Sequence, residues 1–136
     1  MSEVFLDTSF AIALIAETDK HHPQAKELAD DFEQRRTRLV TTRAVFLEIG
    51  NAFSKSPLRA KAIGLLELFE EDPQVEIVPL SESLYQRGFD LFRRWSDKEW
   101  SLVDCLSFIV MQERGLTDSL TTDRHFRQAG FRVLLS

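Results

Sequence analysis

The 136-residue sequence holds one cysteine, five glycines and four prolines. It has no apolar run of the length a membrane span needs. A single cysteine excludes an internal disulfide framework and a multi-cysteine zinc site. Low glycine and proline, with 43% hydrophobic and 29% charged residues, exclude a collagen-like, disordered or rod-like chain. Positive charge is also short. Seventeen Lys and Arg against twenty-two Asp and Glu leave a formal charge of −5. A dedicated non-specific DNA binder is usually basic, because phosphate contacts supply most of that affinity. Residues 1–68 carry nine bases and ten acids, and residues 69–136 carry eight and twelve, so neither half forms a basic arm or an acidic tail. Any nucleic acid is therefore handled locally, or through metal ions that offset the chain's own carboxylates. No charged-then-apolar leader opens the sequence. The expectation is a cytoplasmic protein with no membrane partner, folded as a single domain over residues 1–136 and large enough to bury its own core.

What is present is an alternation of short apolar runs and longer amphipathic ones. Val4-Phe5-Leu6 reads as a buried strand, and Asp7-Thr8-Ser9 as the start of a helix. Helical spacing follows over 10–16 and 24–36, with Ala25, Leu28, Ala29 and Phe32 on one face. Leu39-Val40-Thr41 is a second strand, 44–53 a helix, and 58–69 another after the Ser56-Pro57 break. Val75–Leu80 is a third strand beyond the Asp72-Pro73 turn. Ser81 and Ser101 are candidate caps for two further helices, the second running 102–114 and closed by Gly115. The stretches 120–122 and 131–134 are the last strand candidates. This alternation predicts an α/β fold: a three-layer α/β/α sandwich on a mostly parallel sheet of about five short strands. Ligands in such folds gather at the carboxyl ends of strands, near a switch in strand order.

Four acids stand where solvated charges are not expected. Asp7 directly follows an apolar strand, either as a helix cap or as a site residue. Glu48 borders the apolar stripe of its helix, three residues after Val45 and one before Ile49. It is either a rim glutamate paired with Arg43 or Lys55, or part of a site. Asp104 is the one charge in the apolar stretch L-V-D-C-L-S-F-I-V-M. A helix of that kind is buried, and a buried carboxylate is costly unless it is paired or binds a metal. It also stands three residues after Ser101, where a capping box places its acid, although that motif prefers Glu or Gln. Asp123 again ends a strand candidate, as a turn or as a site residue. Asp118 precedes that strand and belongs at the opposite edge. Parallel strands bring Asp7, Asp104 and Asp123 to one sheet edge. Carboxylates gathered there raise one another's pKa unless a hard cation such as Mg²⁺ or Mn²⁺ is bound by their oxygens. The chemistry of such a centre is metal-assisted phosphodiester hydrolysis.

Four motifs in order then carry a family resemblance: F-L-D-T-S at 5–9, the glutamate of V-F-L-E-I-G-N-A-F at 45–53, W-S-L-V-D-C at 100–105 and T-T-D-R-H-F at 121–126. Together they resemble the PIN domain, and within it the VapC-type toxin ribonucleases of toxin–antitoxin pairs. The resemblance spans essentially the whole chain and implies a metal-dependent endoribonuclease. Asp7, Glu48, Asp104 and Asp123 match the family's acidic quartet. Asp7 and Asp104 are implied as direct metal ligands, with Glu48 and Asp123 completing the site directly or through water. Thr8 or Ser9, and Thr121, match hydroxyl positions near the site, and Arg124 is a candidate contact to substrate. The implied cofactor is Mg²⁺ or Mn²⁺, and the implied partners are an RNA substrate, a small cognate antitoxin and a second copy of the chain. RNA processing without a toxin role is also compatible with the family.

Other chemistry fits the residues less well. A phosphatase with Asp7 as nucleophile wants an acid two residues on, where Ser9 stands. A receiver-like Mg²⁺-binding domain wants a late lysine, but the last one is Lys98. Cys105 reads as a small core residue. His21, His22 and His125 are too scattered for a zinc site. The segment His125-Phe126 is expected beside the acids with Phe126 inward, and Trp95 and Trp100 are expected in the core or at a partner surface.

Overall fold

The computed structural model describes residues 2–136. Strands β1 (Glu3–Leu6), β2 (Arg38–Thr42), β3 (Val75–Val78), β4 (Asp118–Leu120) and β5 (Arg132–Val133) form one parallel sheet in the order β3-β2-β1-β4-β5. Around it run α1 (Thr8–Ile15), α2 (His22–Arg35), α3 (Arg43–Ala52), α4 (Arg59–Glu71), α5 (Glu82–Arg94), α6 (Leu102–Arg114) and α7 (Arg124–Gln128). The chain steps from β1 through β2 to β3 on one side, then returns past β1 to β4 and β5. Right-handed crossovers therefore send α1–α4 to one face and α5–α7 to the other. The contacts agree: α1 packs on α2, α3 and α4, and α6 packs mainly on α5, while also touching α7 and, across the layers, α3. This is the three-layer α/β/α sandwich.

Central strands sandwiched between helices must be apolar on both sides, and Phe5, Leu6, Val40 and Leu120 are fully buried. Burial of each such Phe or Leu contributes about 1.5–3 kcal/mol. No helix among the described residues is long and apolar enough to cross a membrane. The amino edge of the sheet is closed by ion pairs, with Arg132 on Asp118, Arg38 on Glu3 and Glu76, and Arg114 on Glu76. The Arg114 and Arg38 guanidiniums hold the Glu76 carboxyl down at about 2.

Three strands differ from the sequence reading, and the first of these, expected at Val75–Leu80, ends at Val78 before Pro79. The strand expected at 120–122 lies at Asp118–Leu120, so Asp118 begins it. Beyond Leu120 the Thr122 N–H donates to Ser9 Oγ and the Asp123 N–H to Thr121 Oγ1, so the backbone turns out of the sheet. The strand expected at 131–134 is reduced to Arg132–Val133. The caps fall where expected. Ser81 Oγ accepts the Leu84 N–H at 3.1 Å, and Gly115 closes α6 at φ 66°, a left-handed conformation that favours glycine.

The tightest helix pair is α5 on α6. A Cβ added at Gly88 would lie 2.5 Å from Leu106 Cδ2 and 3.4 Å from its backbone Cα. Overfilling a packed contact of this kind costs about 1–3 kcal/mol. Gly88→Val should therefore lower the unfolding free energy by that amount in denaturant melts, and an unchanged value would mean that the Leu106 side chain moves aside without cost.

Candidate metal centre

Strand order reverses between β1 and β4, and the chain leaves the carboxyl ends of these two strands into Asp7 and into Thr121 to Asp123. The switch-point rule places a ligand site there. Asp7 is the N-cap position of α1, Asp104 lies in the first turn of α6, and Asp123 caps α7. Helix N-termini favour negative charge, which helps these folds carry acids so close together. Glu48 reaches the cluster from α3.

Each carboxylate is tethered through one oxygen. Thr121 Oγ1 donates to Asp7 Oδ2 at 2.7 Å. Thr8 Oγ1 donates to Glu48 Oε1 at 2.5 Å. Asp104 Oδ2 accepts the Ser101 N–H at 3.1 Å, and its own N–H donates to Ser101 Oγ at 3.0 Å, which completes the capping box. Asp123 Oδ1 accepts the His125 N–H at 2.8 Å. The second oxygen of each, Asp7 Oδ1, Glu48 Oε2, Asp104 Oδ1 and Asp123 Oδ2, has no side-chain hydrogen bond among the described residues.

The hydroxyls are directed by the same accounting. The one proton of Thr121 goes to Asp7, so Ser9 Oγ, 3.0 Å away, must donate to Thr121 Oγ1. Ser9 Oγ in turn accepts the Thr122 N–H at 3.0 Å, and Thr121 Oγ1 accepts the Asp123 N–H at 3.0 Å. Ser9 and Thr121 thus join the ends of β1 and β4 and fix the Asp7 carboxylate.

Asp7 and Asp104 are only 6% and 8% exposed. Burial pushes the Asp7 carboxyl up to about 7, and the charges of Asp104 and Glu48 add to this against the hydrogen bonds from Thr121 and the Thr8 backbone. Glu48 is raised by burial and by the charges of Asp104 and Asp123, against the Thr8 hydrogen bond. Asp104 is raised by burial and by Asp123, against the Ser101 and His125 hydrogen bonds. Asp7, Glu48 and Asp104 thus each feel at least one other acid. None of the four has a Lys or Arg partner among the described residues, in contrast to the paired amino edge of the sheet. Neither base expected beside Glu48 pairs with it: Arg43 pairs with Glu70, Lys55 makes no ion pair with it among the described residues, and Glu48 accepts from Thr8 instead.

Among the described residues, the one group whose ligand atoms all lie within 4.8 Å of one another is Asp104, Asp123 and His125, and Asp7 and Glu48 fall outside it. His125 Nδ1 is 3.0 Å from Asp104 Oδ2 and 3.3 Å from Asp123 Oδ1. The sequence placed His125 beside the acids without identifying that contact, which joins residues twenty-one apart. Arg124 opens α7 and is exposed. Cys105 is buried, and its thiol is pushed up to about 11 by burial and by the Asp104 charge, as suits a small core residue. Trp100 is buried with its ring edge-on to Phe108, and it donates Nε1–H to Gln128 at 3.0 Å, while Trp95 is exposed.

A set of carboxylate oxygens with unpaired charge suits a hard divalent cation such as Mg²⁺ or Mn²⁺. The cluster is open at the sheet edge. A cavity of about 710 Å³ lies instead between α2 and α4 beside Phe10, Leu14 and Phe69, and none of the four acids lines it.

A family model described as the PIN domain matches residues 4–132. The 23S rRNA-specific endonuclease VapC20 of Mycobacterium tuberculosis is 27% identical over 133 residues, covering 94% of this chain and 95% of the relative. The crystal structure of that protein, described as a Sarcin-Ricin loop cleaving toxin, superposes with a TM-score of 0.83 at 25% identity, over 94% of this chain and 95% of the other. DNA-bound VapBC from Salmonella typhimurium shares the fold at a TM-score of 0.67 and 17% identity, covering 98% of this chain and 97% of that one.

Proposed function

This chain belongs to the PIN domain family, and we propose that it is a metal-dependent endoribonuclease that acts as the toxin of a toxin–antitoxin pair. The observation that carries the reading is the group of four acids at the switch point without a Lys or Arg partner. Asp7 and Asp104 are the direct ligands in this proposal, Glu48 and Asp123 complete the site, and Mg²⁺ or Mn²⁺ is the ion. A bound divalent ion supplies activation of water and neutralisation of the charge that develops on the scissile phosphate. Thr121 and Ser9 hold Asp7 in place, Thr8 holds Glu48, and the Ser101 cap holds Asp104. Exposed Arg124 beside Asp123 provides a cation for an adjacent phosphate. Because the chain is acidic, its grip on RNA depends on these few contacts more than on a basic surface.

The relative at 27% identity is named for cleavage of 23S rRNA, so a ribosomal hairpin is the first substrate to test. An antitoxin partner is part of the same proposal. The largely apolar cavity between α2 and α4 gives such a partner a surface to fill, and exposed Leu47 on α3 and Ile63 on the adjacent α4 leave further apolar surface for a second copy.

The experiment is cleavage of end-labelled 23S rRNA hairpin and transfer RNA by purified, partner-free protein, with Mg²⁺, Mn²⁺ or EDTA. The expected result is cuts at discrete positions that EDTA abolishes and that the divalent ion restores. Cleavage that persists in EDTA would overturn the metal reading. No cleavage of any RNA by folded protein that binds Mn²⁺ would overturn the nuclease reading.

A further inference from the structure

We propose that His125 is a positioning residue of the metal centre, whose ring N–H holds Asp104 so that a single carboxylate oxygen is left for the ion. The inference rests on the metal-dependent reading above. A ligating carboxylate is ionised and can only accept hydrogen bonds, so the proton between His125 and Asp104 sits on Nδ1. Two donors then converge on Asp104 Oδ2: His125 Nδ1 at 3.0 Å and the Ser101 backbone N–H at 3.1 Å. Oδ1 has no partner among the described residues. Such outer donors orient a ligand and tune its affinity.

The imidazole is itself held from both sides. Its backbone N–H is fixed on Asp123 Oδ1 at 2.8 Å. The next residue, Phe126, is fully buried against Phe108, with ring centroids 4.9 Å apart and nearly perpendicular. One residue therefore ties Asp104 on α6 to Asp123 at the start of α7. An imidazole suits the position because it donates a hydrogen bond without requiring a positive charge. A lysine or arginine there would bring a permanent cation into competition with the metal. The protonated Nδ1 faces the acids, so this nitrogen does not coordinate the ion.

The test is Mn²⁺ affinity of the full-length, partner-free protein, read from loss of the free-ion signal in electron paramagnetic resonance, for wild type, His125→Ala, His125→Asn and His125→Gln. Asparagine places an amide N–H at nearly the position of Nδ1, whereas glutamine places it one atom further out. His125→Ala should weaken Mn²⁺ binding by about 10–100-fold, His125→Asn should recover most of that loss, and His125→Gln should not. Spin-echo modulation from a directly coordinated nitrogen should be absent in wild type. Unchanged affinity in folded His125→Ala would overturn the proposal. So would an asparagine variant as weak as alanine, since the N–H at that position would then not be what matters, or nitrogen modulation in wild type, which would make the imidazole a ligand. No Mn²⁺ binding by wild type at all would overturn the underlying metal reading, and this inference with it.

Discussion

Replacing Asp7 with asparagine should abolish metal-dependent RNA cleavage and, in the absence of metal, raise the melting temperature at pH 8. The two effects share one cause. Asp7 is buried, and two further carboxylates add to the cost of its charge, so its carboxyl rises from 3.8 to about 7 in the fold. A group whose pKa is raised by folding binds more protons in the folded state than in the unfolded one between those two values. Stability therefore falls as pH climbs from about 4, and the loss is complete above pH 7. At about 1.4 kcal/mol per pKa unit, the penalty at pH 8 is a few kcal/mol. Asparagine carries no charge and its amide oxygen still accepts the Thr121 hydroxyl. The stability difference between Asp7→Asn and wild type should therefore grow from pH 4 to pH 7 and then level off.

Metal should reverse the order of the two proteins. An ion that binds only the folded state stabilises it by mass action, so millimolar Mn²⁺ should raise the melting temperature of wild type and leave Asp7→Asn nearly unmoved. The loss of cleavage should reach at least about 10²–10³-fold, the scale for removing one preorganised electrostatic contact in an active site. Thermal melts from pH 4 to 8 with and without Mn²⁺, run beside the cleavage assay, check all of this. An asparagine variant that unfolds would assign Asp7 a purely structural role, and one that is stable and active would remove it from the site.

The candidate site was legible in the sequence because a parallel sheet makes one edge predictable. Once Val4–Leu6 and the run near Leu120 read as parallel strands, Asp7 and Asp123 had to share the carboxyl edge and Asp118 the other. The structure pairs Asp118 with Arg132 at that opposite edge. Asp104 was visible because a single charge in an apolar helix has few inexpensive environments. What escaped was what depends on contacts far apart in sequence. Thr8 meets Glu48 forty residues away, and nothing in the spacing around Glu48 favoured a threonine over Arg43 or Lys55. The five-residue α7 completes too few turns to show a helical period, so T-T-D-R-H-F read as strand and turn. The bounds of β4 differ by two residues because Thr121 and Thr122 have strand-like side chains, while the backbone N–H groups of Thr122 and Asp123 are used on Ser9 Oγ and Thr121 Oγ1.

Truncating Phe108 to alanine should destabilise the protein by about 3–5 kcal/mol, the usual cost of emptying an aromatic site in a close-packed core. Phe108 is fully buried on α6 and meets Trp100 and Phe126 edge-on at centroid distances of 5.0 and 4.9 Å. Phe126 in turn lies 6.2 Å from Phe5 on β1. The column thus touches three segments that carry the acids. Trp100 directly precedes the Ser101 cap of Asp104, Phe126 follows Asp123 by three residues, and Phe5 precedes Asp7 by two. Removing the middle ring should therefore loosen the relative placement of the carboxylates as well as the core. A displacement of about 1 Å at a site that works by positioning can cost on the order of 10²-fold in rate. Cleavage per folded molecule should accordingly drop by tenfold or more even at a temperature where the variant remains folded. Denaturant melts give the first number, and cleavage normalised to the folded fraction gives the second. A large loss of stability with unchanged activity per folded molecule would mean that the aromatic column only holds the fold together, and that the hydrogen bonds of Thr8, Ser9, Ser101 and Thr121 suffice to place the acids.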